Sequence, residues 1–346
     1  NSGSGTAGGR RSGGSQRERS QALPFLFKLL AAGKPLSIQA HPDMETARKG
    51  FEREEKAGIS RKAPERSYRD GNHKPELLMA LTPFTAMMGF QSPARVGFLF
   101  SRLCASAGVS LVPASVLSAL EAGDSSALQP FLHSVLRAPA RTVQRALETA
   151  RTALWCESVN LAPAAAREIP RLAEGFPGDA GALAPLFLNV VELVPGEALF
   201  IPARVLHAYL EGFGVELMAS SDNVLRGGLT SKKVDVDELL AVLDYRELPP
   251  GVLRPRVSGE GRRIFDTPAR EFFLELLDAA PGCPLFLDGK NGPFILLTLE
   301  GRLTLSADSF SEELSAARGK SVFIPRQAGT VCVEGSGRGA LAGCPS

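Results

Sequence analysis

Apolar and polar residues alternate in three textures along the chain. Near the start, Leu23-Pro24-Phe25-Leu26-Phe27-Lys28-Leu29-Leu30 and Pro35-Leu36-Ser37-Ile38-Gln39-Ala40-His41 are short apolar runs separated by Gly33-Lys34, the spacing of two strands paired across a turn. From about Ser92 to Gly178 the chain turns to Ala, Leu and Arg. There Val143, Ala146, Leu147, Ala150 and Leu154 recur at helical spacing and predict one apolar helix face. From Phe187 to Pro202 strand texture returns, and β segments broken by Gly and Pro continue to the end. The pattern predicts a mainly β protein with a helical insertion. Residues 21–91 and 179–250 would form one β unit interrupted by helices over 92–178, and residues 251–346 a second β unit.

The two β units share a motif. Gly196-Glu197-Ala198-Leu199-Phe200-Ile201-Pro202 is echoed by Gly319-Lys320-Ser321-Val322-Phe323-Ile324-Pro325, a turn and strand with a common Phe-Ile-Pro. Two related barrels explain the echo. His207 stands five residues after the first proline, and Thr330 occupies that place in the second copy, so only the first barrel can hold a metal in this way.

Ahead of both, residues 1–20 contain fifteen Gly, Ser or Arg, too little apolar surface to offset the entropy of ordering; we expect a disordered leader. At 346 residues with 44% hydrophobic and 22% charged positions, the remainder can bury two or three cores. The 39 basic residues nearly cancel the 37 acidic ones, and a net charge of +2 argues against nucleic acid or an anionic membrane as partner. Five widely spaced cysteines without a CxxC pair give neither a disulfide framework nor a thiolate zinc site. With no long apolar span, these features point to a cytoplasmic protein acting on a small molecule, and we expect a monomer.

Candidate chemistry lies in polar stripes inside the apolar strands. Side chains alternate faces along a strand, so Ser37, Gln39 and His41 share one face. In Tyr68-Arg69-Asp70-Gly71-Asn72-His73-Lys74-Pro75-Glu76 the same period groups Asn72, Lys74 and Glu76 and leaves His73 on the other side, either supporting the ligands from behind or purely structural. With His207 these stripes offer an amide oxygen, two imidazoles and a carboxylate. That is a ligand set for a borderline cation such as zinc, with room for water or substrate oxygens. The expected ligands are Gln39, His41, Glu76 and His207.

The segments Leu36 to Asp43, Tyr68 to Phe90 and Phe187 to Val236 resemble the signature blocks of type I phosphomannose isomerases, closely over residues 21–250 and loosely beyond. The resemblance implies two cupin (jelly-roll) barrels plus an α-helical domain, and a zinc-dependent interconversion of mannose 6-phosphate and fructose 6-phosphate through an enediolate. It places one zinc ion on the same four residues that strand period selects. It also implies that Lys74, Glu216, Arg226 and Lys232 line the substrate cavity, with Ser231 where the family usually has proline. Arg226, Glu216 and Lys74 are the catalytic candidates: Glu216 as proton carrier with Lys74 as its rival, and Arg226 as the cation for a developing oxyanion. Ser37, Lys74, Arg226 and Lys232 are the candidate substrate contacts. Gly196-x5-Pro202-x-Arg204-x2-His207 is similar to the second cupin motif, but Arg204 stands where glycine is usual, which predicts a left-handed turn held at some cost.

Two other readings remain. Family members normally begin with some tens of residues, including a Trp-Gly segment, ahead of the strand beginning at Leu23; here Trp155, in the helical block, is the single tryptophan. A catalytically inactive or truncated cupin that keeps the metal site is therefore the alternative. An iron-dependent cupin comes third, because such sites usually take more histidines and no glutamine.

Overall fold

The computed structural model describes residues 23–345; the expected leader over 1–20 lies outside the described residues. Nine strands form the first sheet: β1 (Phe25–Ala32), β2 (Ile38–Ala40), β3 (Glu76–Ala80), β4 (Phe84–Phe90), β5 (Leu188–Leu193), β6 (Ala198–Ile201), β7 (His207–Ala219), β8 (Leu225–Gly228) and β9 (Val252–Leu253). Eight more form the second: β10 (Arg256–Gly259), β11 (Arg262–Ile264), β12 (Phe273–Ala279), β13 (Leu285–Asp288), β14 (Phe294–Ser306), β15 (Leu314–Ala317), β16 (Ser321–Ile324) and β17 (Thr330–Gly343). Pairing between these strands is antiparallel throughout.

Strand β7 organises the first sheet. Its first half pairs with β2 and β4, and its second half with β1 and β3. Between them Gly212 sits at φ +131°, a conformation glycine tolerates, and the strand bends there so that the sheet folds into two layers. Leu78, Ala80, Phe84, Met88, Leu199, Ile201 and Tyr209 fill the space between the layers. Alternation then sends Leu77 and Met79 outward against Leu274, Leu276 and Ala342 of the second sheet. Burying each such side chain stabilises the fold by roughly 1.5–3 kcal/mol.

The helices α1 (Met44–Lys56), α2 (Pro93–Ala107), α3 (Ala114–Glu121), α4 (Leu128–Leu136), α5 (Ala140–Ala150), α6 (Ala153–Ser158), α7 (Pro163–Gly175) and α8 (Val236–Val242) lie mostly between β4 and β5, as the change of texture predicts. Their shared core also takes Ile38, Ala40, Met87 and Phe90 from the first sheet. No helix among the described residues is long and apolar enough to cross a membrane. All five cysteines are free.

Two local expectations are corrected. The runs at Leu23–Leu30 and Pro35–His41 do not pair with each other: β1 lies on β7, and the short β2 lies between β7 and β8. Long-range pairing to a long buried strand wins over the local turn. Leu154 is 80% exposed because the helix carrying Val143, Ala146, Leu147 and Ala150 ends at Ala150, and a new one starts after the Thr152 cap.

A buried clamp joins α1 to the segment before β3. Glu54 accepts from the Ser67 and Tyr68 amides at 3.2 and 2.9 Å, and the Tyr68 hydroxyl donates to Glu238 on α8 at 2.5 Å. Gly50 packs flat on the Tyr68 ring, and a Cβ there would meet the ring at 2.5 Å. Gly50→Ala is therefore expected to destabilise by about 1–3 kcal/mol through overpacking. Urea unfolding would read this as a lowered midpoint at unchanged slope, and an unchanged midpoint would refute the packing argument.

Candidate metal centre and catalytic cluster

Register across three strands assembles the site. Gln39 on β2 lies opposite His207 on β7 and opposite Arg226 on β8, and directly opposed residues share a face. On the neighbouring layer Glu76 opens β3 opposite Met218 and Ile201, while Glu216 lies opposite Leu78 and Lys28. Glu76 and Glu216 thus point into the same interior. His41 follows β2 in irregular chain.

The ligating atoms converge. One atom each from His41, Glu76 and His207 lie within 4.8 Å of one another, and all three side chains are buried. His41 Nδ1 donates to the Asn223 carbonyl at 2.7 Å, and His207 Nδ1 to the Val205 carbonyl at 3.0 Å. Each ring therefore turns its other nitrogen, Nε2, toward Glu76, at 3.1 Å from Oε1 for His41 and 3.3 Å from Oε2 for His207. His41 Nε2 and Glu76 Oε1 find no well-aligned hydrogen bond among the described residues. Two imidazole nitrogens and a carboxylate converging in a dry interior form a cluster that could hold a metal ion. The amide of Gln39 reaches His207 Nε2 at 3.3 Å, and turned over it offers Oε1 to the same point. This donor set of two nitrogens, a carboxylate and an amide fits a borderline divalent ion.

Charge around the cluster is arranged in pairs. Burial pushes the His41 ring below its ordinary pKa despite the Glu76 carboxylate, so it is neutral at neutral pH. Burial also opposes the Glu76 charge, but the two facing histidines and Lys74 more than offset it and hold the carboxyl well below its usual range. Lys74 Nζ lies 3.0 Å from Glu76 Oε1. Glu216 behaves in the opposite way: burial first, and the Glu76 charge second, raise its carboxyl above the ordinary value, with Lys28 at 3.2 Å opposing. Two carboxylates in one cavity are pushed apart in basicity, as acid–base sites require.

The structure brings Gln39, His41, Glu76, His207, Lys74 and Glu216 into one buried network and sets Arg226 beside Gln39. Arg226 makes no ion pair or side-chain hydrogen bond among the described residues, and its pKa is lowered by burial and by the neighbouring Arg69. Ser37 is half-buried just before β2. Lys232 stands exposed on the loop after β8, where no polar contact ties its side chain to the cluster. His73 pairs with Glu271 at 2.6 Å, away from the ligands. Sequence reasoning overlooked Lys28, the partner of Glu216, and Tyr209. The Tyr209 hydroxyl donates to Glu76 at 3.2 Å, and the ring lies near enough to both carboxylates that burial and their charges push its pKa well up. Strand period carried the signal for Tyr209, two residues beyond His207 on the same face. For Lys28 the signal was a lone cation in an apolar strand.

In the metal-free protein, the raised Glu216 pKa means that its protonated form is favoured in the folded state. That contribution to stability is present below the unfolded carboxyl value and is lost as pH rises through the folded one. Glu216→Gln, which is uncharged throughout, is therefore expected to gain stability relative to the parent chain on going from pH 4 to pH 8. Urea midpoints at the two pH values check this, and a constant difference would contradict the shift.

Comparison with known proteins points the same way. The family profile described as phosphomannose isomerase type I, catalytic domain, matches residues 9–93. The chain is 38% identical over 317 residues to mannose-6-phosphate isomerase from Escherichia coli (strain K12), covering 91% of this chain and 78% of that protein. It is 35% identical over 320 residues to the mannose-6-phosphate isomerase of Rattus norvegicus, covering 87% and 72%. A solved zinc-bound mannose 6-phosphate isomerase superposes with a TM-score of 0.82 at 36% identity, over 95% of this chain and 81% of that one.

Proposed function

Because the chain belongs to the type I phosphomannose isomerase family, we propose that it interconverts mannose 6-phosphate and fructose 6-phosphate with one zinc ion held by Gln39, His41, Glu76 and His207. The observation that carries the reading is the convergence of two imidazole Nε2 atoms, each ring anchored through Nδ1 to a backbone carbonyl, on a fully buried carboxylate. The same reading divides the chain into two cupin barrels, residues 21–91 with 179–250 and residues 251–346, with a helical domain over 92–178 between the parts of the first. Every proposed ligand comes from a single chain, in keeping with a monomer.

Aldose–ketose interconversion removes a proton beside a carbonyl and returns it to the neighbouring carbon through an enediolate. Zinc, when bound, supplies Lewis-acid stabilisation of the negative charge that develops on oxygen. Glu216 is the proposed proton carrier, since its burial beside Glu76 makes it more basic than an ordinary carboxylate. Lys28 holds that carboxylate in place from the adjacent strand. Lys74 is engaged with Glu76, and we assign it to fixing the carboxylate and contacting substrate rather than to proton transfer. Arg226, a cation beside Gln39 with no ion pair among the described residues, is suited to a substrate oxyanion or phosphate. Ser37, on the approach to β2, and Lys232, on the exposed loop, remain candidates for substrate contact.

The complete ligand set and the tuned Glu216 favour turnover over a cupin that only keeps its metal. Purified chain is expected to convert mannose 6-phosphate to fructose 6-phosphate only with zinc, and to retain one zinc per chain after dialysis. Glu76→Ala should lose both properties, whereas Glu216→Gln should keep its zinc and lose roughly 10²–10⁴-fold in kcat, the usual worth of a positioned acid–base group. A zinc-loaded, folded parent chain without turnover would leave the metal-binding cupin as the answer.

A further inference from the structure

Three irregular segments meet at the metal centre: the stretch after β2 that carries His41, the stretch before β3 that carries Lys74 and Glu76, and the connection from β7 to β8. Irregular backbone in a buried place must satisfy its amides and carbonyls without a ladder. One side chain serves four of these groups. Asn223, with no exposed surface, accepts from the Arg69 amide at 2.7 Å and the Asp70 amide at 3.2 Å through Oδ1. Through Nδ2 it donates to the carbonyls of Asp70 at 2.8 Å and Asn72 at 2.9 Å. Its own backbone carbonyl is the acceptor for His41 Nδ1.

Resting on the zinc reading above, we propose that Asn223 is a positioning residue for the metal centre: it locks the segment leading to Lys74 and Glu76 and, in the same residue, fixes the tautomer and aim of His41. The argument is one of valence. Two acceptances and two donations in one plane are what a primary amide offers, and no other side chain of that size does so. Aspartate would set an oxygen against the Asp70 and Asn72 carbonyls, and alanine would take from the Arg69 and Asp70 amides and the Asp70 carbonyl the partner they have here, leaving the Asn72 carbonyl only the Ser221 hydroxyl. Either change frees the Asn223 carbonyl to move, and with it the His41 ring. The neighbouring bonds, Ser221 Oγ to Asp70 Oδ1 at 2.9 Å and the Asp222 amide to Asp70 Oδ2 at 2.8 Å, brace the same two segments without touching a ligand.

The test is zinc affinity of the full chain by competition with a chelator, at neutral pH, on protein shown to be folded. Asn223→Asp and Asn223→Ala are expected to bind zinc about 10–100-fold more weakly, the usual effect of removing support behind a ligating histidine. Leu303→Ala, a cavity in the second sheet's core, destabilises the chain while leaving zinc affinity at the parent value. Parent-like affinity in folded Asn223→Asp overturns the proposal. Absence of zinc binding by the parent chain overturns the zinc reading and this one with it, so the two failures are distinguishable. A second measurement needs no variant at Asn223: ¹⁵N spectra of the metal-free parent chain, assigned with His41→Gln, should show the His41 ring as the Nδ1–H tautomer. The Nε2–H tautomer would refute it.

Discussion

A carboxylate with no exposed surface sets the terms for the rest of this molecule. Glu76 heads a strand whose five residues are all buried, so its charge cannot be solvated by water and must be met from within. Lys74 meets part of it, Tyr209 donates one hydrogen bond, and the two histidines turn Nε2 toward it. The point between the two rings and the carboxylate is where a metal ion could be held. Removing one partner from a buried ionic group is commonly strongly destabilising, so Glu76 constrains each element that reaches it: β2, β3, β7 and the segments between them.

The turn that delivers His207 shows how far the fold accommodates that constraint. Arg204 adopts φ +70°, a left-handed conformation that costs a non-glycine residue roughly 1–2 kcal/mol. It is held by long-range bonds. Its amide donates to the His41 carbonyl at 2.7 Å, its carbonyl accepts from Asp244 at 2.9 Å, and its guanidinium caps the Val242 carbonyl at the end of α8 at 2.9 Å. A glycine would relieve the strain but lose the guanidinium contacts. The backbone of one histidine segment is thus bonded to the turn that presents the other, and the spacing between the two rings is fixed from both sides.

Much of the candidate site was legible in the chain because strand alternation is a local rule. Ser37, Gln39 and His41 could be placed on one face from seven residues, and Lys74 and Glu76 from nine, without knowledge of their neighbours. What stayed hidden was whatever depends on pairing between distant segments. Lys28 becomes part of the site only because β1 lies against β7 with Lys28 opposite Glu216, and the sequence order had suggested β1 against β2. Asn223 is a buried hub because four backbone groups some 150 positions earlier in the chain close around it, and no local pattern announces that. The helical block was legible as a texture, but its break after Ala150, which leaves Leu154 in solvent, depended on a cap at Thr152 that periodicity does not register.

The repeated turn marks where the two sheets diverge. In the first sheet Ile201 of the Phe-Ile-Pro motif lies opposite Glu76. In the second, Ile324 of the matching motif lies opposite Phe294. The strands that follow begin with His207 in one case and Thr330 in the other. At corresponding places, then, a carboxylate and an imidazole are exchanged for an aromatic ring and a hydroxyl, and the second interior closes over Phe294, Leu296, Leu303, Leu305 and Val331 as an apolar core. An apolar core of this kind stabilises without any bound ion, whereas the first interior reserves its centre for one. The second sheet in turn packs Leu274, Leu276 and Ala342 against Leu77 and Met79, the outward neighbours of Glu76 along β3. Packing supplied by the second sheet thereby supports the strand that carries Glu76.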